Sequence, residues 1–75
     1  MNNKLSNAIK TFCDATGFIH NAEVIHGSLF CKLNNLTDFT YTKNALKGFF
    51  KFYNGDNVTV KGYKLDGDNY SFDFI

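Results

Sequence analysis

The sequence predicts one small α+β domain spanning residues 1–75, with the element order α-β-β-α-β-β. Two helices pack on one face of an antiparallel four-stranded sheet. Three observations predict this. Two stretches place apolar residues at helical period. The segments around them alternate apolar and polar residues. Turn-forming Asn, Asp and Gly separate the alternating segments. No internal repeat, low-complexity segment or linker interrupts the chain.

Residues 3–16 form the first expected helix. Leu5, Ala8, Ile9, Phe12 and Thr16 share one face, with Cys13 at its margin. Asn3 is the expected N-cap. Gly17 is the stop, and Phe18 after it can fold back onto Phe12 or Cys13. Asp14 in the last turn opposes the helix dipole at a cost of only tenths of a kcal/mol, on the order of 0.3.

Residues 22–33 and 37–42 are expected as strands, since Leu29, Cys31 and Leu33 alternate, as do Phe39 and Tyr41. Asn34-Asn35 is the expected turn between them. Only an odd loop puts all five apolar residues on one face, because side chains alternate with period two. A three-residue loop also pairs Lys32 with Asp38 on the outer face. Gly27 marks either a bulge or a turn.

Thr42 to Gly55 is the expected main helix. Leu46, Phe49, Phe50 and Tyr53 fall on its core face. Thr42 is the expected cap and Gly55 the stop. Lys43, Lys47 and Lys51 form a polar row. Ala45, Gly48 and Phe52 occupy a third side that neither folding nor solubility explains. Gly48 reads as a neutral surface choice in preference to a site of close backbone approach, at a cost of about 1 kcal/mol relative to Ala.

Residues 57–65 and 69–75 form the second expected hairpin around Asp66-Gly67. A loop of two or four residues gives Tyr63 and Leu65 the same face as Tyr70, Phe72 and Phe74. Val58 and Val60 then have the wrong parity, which a bulge at Lys61-Gly62 restores. The apolar Phe74-Ile75 end is expected to be tied into the sheet.

So short a chain buries a modest fraction of its surface, and its core is expected to be rich in rings. The sequence has nine Phe and four Tyr with no Trp, and each ring removes roughly 150–250 Å² from water. Residues 1–16 lack the apolar run and cleavage site of a signal peptide. No stretch reaches the roughly 18 apolar residues of a membrane span. The expectation is a reduced cytoplasmic protein with two buried thiols, Cys13 and Cys31. Formal charge is +1, too little for a strong field toward nucleic acid or membrane. Arg, Pro, Trp and Gln are absent, Asn occurs ten times and all eight basic residues are Lys. That usage follows AT-rich codons and points to a low-GC bacterium, or to a phage or mobile element living in one.

Catalytic and metal chemistries find little support. Cys13, His20, His26 and Cys31 are suitable zinc ligands in type, but they lack the two-to-five-residue spacing of ligand pairs. Neither cysteine has the exposed, activated setting of a nucleophile. Glu23 is the only Glu, which limits acid–base work. Asp66-Gly67-Asp68-Asn69 is oxygen-rich but lacks the ligand series of a calcium loop. The expectation is therefore no catalytic residue, no metal and no cofactor.

Two binding chemistries remain. The thirteen aromatics exceed what the inward faces need, so some rings are left for a partner. Ala45, Gly48, Phe52 and Phe30 are the candidate partner-binding residues, with a larger host protein or complex as the expected partner and a homodimer as the other protein option. This describes a non-enzymatic protein-binding module of phage or mobile-element origin that blocks a host-defence or host-enzyme target, anti-CRISPR-like in kind. The alternative is a nucleic-acid-binding accessory domain using Lys43, Lys47 and Lys51 with Lys61 and Lys64. Seven acidic residues against eight lysines make nucleic acid the weaker alternative.

Overall fold

The computed structural model describes residues 2–75. Helix α1 spans Asn3–Thr16, strand β1 His20–Ile25, β2 Ser28–Lys32, helix α2 Leu36–Asn54, β3 Val60–Lys64 and β4 Asn69–Phe74. The four strands form one antiparallel sheet in the order β1-β2-β4-β3. Both helices lie on one face of this sheet. The core between the layers contains Ile9 and Cys13 of α1, Leu46 and Phe50 of α2, and Leu29, Cys31, Tyr70 and Phe72 of the sheet. Phe12 and Phe49 join the two helices, with ring centroids 5.0 Å apart.

Helix α1 has the expected range, but its cap is Asn2, whose side chain accepts from the Leu5 N–H at 2.8 Å. Cys13 lies at the centre of the buried face, not at its margin. Gly17 takes the left-handed conformation that ends the helix. The Thr16 hydroxyl donates to the Cys13 carbonyl and accepts from the Phe18 and Ile19 N–H groups, which fixes the exit toward β1. Asp14 pairs with Lys10 at 3.1 Å on the exposed side.

The largest correction concerns residues 36–42. They are the first two turns of α2, not a strand. Asn35 is a helix cap that accepts from the Asp38 N–H at 2.9 Å, not part of a hairpin turn. Asp38 in the first turn complements the helix dipole. Phe39 extends the buried stripe of Leu46 and Phe50 by two turns. Thr42 is fully buried inside the helix, and its hydroxyl donates to the Asp38 carbonyl at 2.7 Å. It therefore satisfies itself locally and caps nothing. The odd loop and the Lys32–Asp38 pair do not form.

The first hairpin is instead β1 with β2. His26 and Gly27 both have positive φ, the twist of a two-residue turn that matches the strands. Gly27 is thus a turn and not a bulge. The bulge lies earlier, at Asn21, whose φ is 53° and where the register with β2 shifts by one residue.

The second hairpin forms with an odd connection. Lys64 faces Tyr70, and the Leu65 N–H donates to the Asn69 carbonyl at 2.8 Å. Three residues, Asp66 to Asp68, close the turn. This parity reverses the expectation for β3. Val60 and Gly62 face inward opposite Phe74 and Phe72, while Tyr63 and Leu65 face outward. No bulge at Lys61-Gly62 is required. Beyond β4, Ile75 and Thr59 exchange both backbone hydrogen bonds at 3.0 Å, so the chain end is paired.

Gly62 has a packing reason. A Cβ there would meet the Phe39 ring at 2.5 Å. That ring covers the glycine and packs on Phe72 and Tyr70, at centroid distances of 5.5 and 5.3 Å. Gly62→Ala is expected to destabilise the fold by about 1–3 kcal/mol through overpacking. Phe39→Leu should relieve part of that cost, so that in urea denaturation the double variant is less destabilised than the two single changes added together.

Candidate protein-docking surface

Helices cover only one face of the sheet, and the registers define what the other face presents. One cross-strand row runs Glu23, Phe30, Ser71, Tyr63. The next runs Ile25, Ser28, Asp73, Lys61. Lys32 and Asn69 lie at the third level, beside Leu65. Phe30 is 37% exposed and Tyr63 46% exposed. Their backbones flank that of β4, about 10 Å apart at two strand spacings. Ser71 between them is buried. Ile25 and Leu65 add exposed apolar surface on either side. A depression of about 410 Å³, lined by Glu23, Phe30, Lys32, Leu65 and Asn69, crosses this face.

The polar groups around the rings are of mixed charge. Glu23, Asp66 and Asp73 stand against Lys32 and Lys61. Asp73 also accepts from the Ser28 hydroxyl at 2.5 Å, which holds that carboxylate down on the sheet. An apolar centre in a mixed-charge rim is the anatomy of a protein interface.

The four candidate partner residues from the sequence do not form one surface. Phe30 lies on the uncovered sheet face. Ala45, Gly48 and Phe52 lie on a flank of α2 between its buried face and its outward polar side, with Ala45 half-buried. Phe52 is 92% exposed, and a Cβ on Gly48 would meet nothing within 4 Å. Tyr41, 64% exposed, belongs to the same stripe by helical period. Tyr41 is expected in a strand, and Tyr63 and Leu65 on the core face; all three are instead exposed. The signal for Tyr41 was the Asn35–Asp38 spacing of a capped helix start. No local signal separated a three-residue from a two-residue loop at Gly67.

Of the candidate lysines, the three on α2 gather along one side, whereas Lys61 and Lys64 of β3 point to opposite faces. Lys43 Nζ sits 5.7 Å from the centroid of the Phe39 ring that covers β3. Lys51 Nζ donates to Asn57, in the segment leading into β3, at 3.2 Å. The Lys43, Lys47 and Lys51 row thus runs on the flank of α2 away from α1, on the side of edge strand β3. Lys61 points to the uncovered face of that strand and Lys64 to the helix side.

The remaining candidates stay apart. His20 and His26 are exposed, while Cys13 and Cys31 are buried free thiols. Among the described residues, no three of His, Cys, Asp and Glu come together. Among the same residues, no helix is long and apolar enough to cross a membrane. Burial pushes the Cys13 thiol up to about 12, helped by the neighbouring Cys31 and Asp14, and burial alone pushes Cys31 up to about 11. Such thiols are inert in the folded state.

The raised values set a pH dependence. The folded chain holds its thiol protons more tightly than the unfolded chain, so this contribution is constant below about pH 9 and lost as pH rises toward 11–12. Urea denaturation should show stability falling between pH 9 and 11, by up to about 1.4 kcal/mol per pH unit for each thiol. Cys31→Val should make that fall shallower. At pH 8 neither thiol of the native chain should react with iodoacetamide, and both should react in urea.

Compared with protein-family models, with curated proteins and with solved structures, the chain matches none.

Proposed function

We propose that this chain is a non-enzymatic protein-binding module that lays the uncovered face of its sheet on a larger protein and blocks it. The observation that carries this reading is the set of Phe30, Tyr63, Ile25 and Leu65 on a sheet face that no helix covers. Rings held on paired strands lose little freedom on docking, which favours them as interface anchors. Blocking follows from shape: a rigid sheet face seated on a target excludes whatever else binds there. The codon-biased composition, without Arg and rich in Asn and Lys, fits a phage or mobile element of an AT-rich host. On this reading the chain acts in the host cytoplasm as an inhibitor of a host-defence or host-enzyme target.

A second reading has its own observation. Five of the eight lysines, Lys43, Lys47, Lys51, Lys61 and Lys64, lie on α2 and β3. Such a side can follow a phosphate backbone. The lysines are divided between faces: Lys61 shares the uncovered face with Tyr63, while Lys64 points to the helix side.

Affinity capture from host lysate with mass spectrometry separates the readings. Phe30→Asp and Tyr63→Asp should each weaken capture of a protein partner at least tenfold, on the order of 1.4 kcal/mol or more, with the fold intact by circular dichroism. Lys43/Lys47/Lys51→Ala should leave it within about threefold. The opposite pattern, with salt-sensitive binding to DNA or RNA that the lysine changes abolish, selects the nucleic-acid reading.

A further inference from the structure

A flank of α2 carries a pattern that the sheet-face reading does not use. Tyr41, Ala45, Gly48 and Phe52 form one stripe along a flank of the helix outside the buried Leu46 and Phe50, with Ala45 half-buried. The stripe is large, small, small, large. Tyr41 precedes the midpoint between Ala45 and Gly48 by the same distance as Phe52 follows it. An antiparallel copy of the same helix, related by a two-fold axis at that midpoint, therefore sets Tyr41 against Phe52 and Ala45 against Gly48, twice. This is the self-complementarity that an isologous interface requires, in which residue i meets j and j meets i.

We propose that the chain associates with a second copy of itself through this stripe as an antiparallel α2–α2 pair. Gly48 and Ala45 at the crossing let the helix axes approach to about 8 Å, the close end of helix packing. The rings at the two ends then close over the small residues. Gly48 has no packing reason within its own chain, since a Cβ there meets open space, and a Gly there weakens the helix. Contact with a second backbone supplies the reason. Area sets the strength. Phe52 at 92% exposure and Tyr41 at 64% bring roughly 300 Å² per copy, about 600 Å² over the pair. That is well under the roughly 1,200 Å² of a stable interface, so the dimer is weak, with Kd expected on the order of 100 µM. In the pair, the lysine flanks of the two copies fall on the same side, so association strengthens as salt screens them. Because α2 lies on the covered side of the sheet, the two uncovered sheet faces point outward and stay free. The dimer is then a bivalent form of the docking module.

Sedimentation equilibrium of the purified chain from about 5 to 500 µM tests the proposal, a range that brackets that Kd. The expected result is a monomer–dimer equilibrium that tightens between low and moderate salt. Gly48→Gln is the diagnostic variant. It should raise the melting temperature of the dilute monomer, because Gln is the better helix former, and weaken dimerisation at least about tenfold by holding the helices apart. Phe52→Gln should weaken it similarly. A chain that stays monomeric throughout, a dimer indifferent to Gly48→Gln, or a stripe needed only for capture of a different protein each overturns the proposal. Phe30→Asp leaves self-association unchanged, so failure here and failure of the sheet-face reading are told apart.

Discussion

The Phe39 ring lying over Gly62 is the contact on which the rest of the arrangement depends. It joins the first turns of α2 to an edge strand, and it rests on Phe72 and Tyr70 in the middle of the sheet. A ring can lie there only because no Cβ rises from position 62. Gly62 must therefore face the helices. Side chains alternate along a strand, so Tyr63 and Leu65 have to face the other way. One steric requirement on the inner face thus dictates the apolar character of the outer one.

That outer face is where the domain has chemistry to spare. The two sheet edges are guarded by different means. β1 is broken by the bulge at Asn21, and β3 carries Lys61 and Lys64. Bulges and lysines on edge strands discourage the addition of another strand. The surfaces proposed for contact are therefore the broad ones. The uncovered sheet face carries rings within a mixed-charge rim, and a flank of α2 carries the Tyr41-to-Phe52 stripe. They lie on opposite sides of the molecule, so each can be occupied without the other. The two thiols take no part, being buried with their protons held tightly.

Much of this was legible from residues alone, and the misses have definite causes. The α1 pattern of Leu5, Ile9 and Phe12 is long enough that only a helix accommodates it. For residues 37–42, the same six side chains satisfy two periods. Phe39 and Tyr41 alternate as in a strand, yet Phe39, Thr42, Leu46 and Phe50 also line one side of a helix. A segment that short cannot decide between them. At the second hairpin, Asp66-Gly67 announced a turn but not its length, and one residue of loop length exchanges the two faces of β3. Phe30 was correctly set on the outer face by alternation. Tyr63 and Leu65, its companions there, change from the core face to the outer face with that one residue of loop length.

Local propensity and composition are enough for the α-β-β-α-β-β order, though not for the position of its first strand pair, and for the helix ends at Gly17 and Gly55, the ring-rich core and the near-neutral charge. The tertiary structure alone decided where α2 begins, which way β3 faces and which rings remain in contact with solvent. Those choices turn on contacts between residues far apart in the chain, Phe39 with Gly62 above all. No periodicity within either segment records that the other will be there.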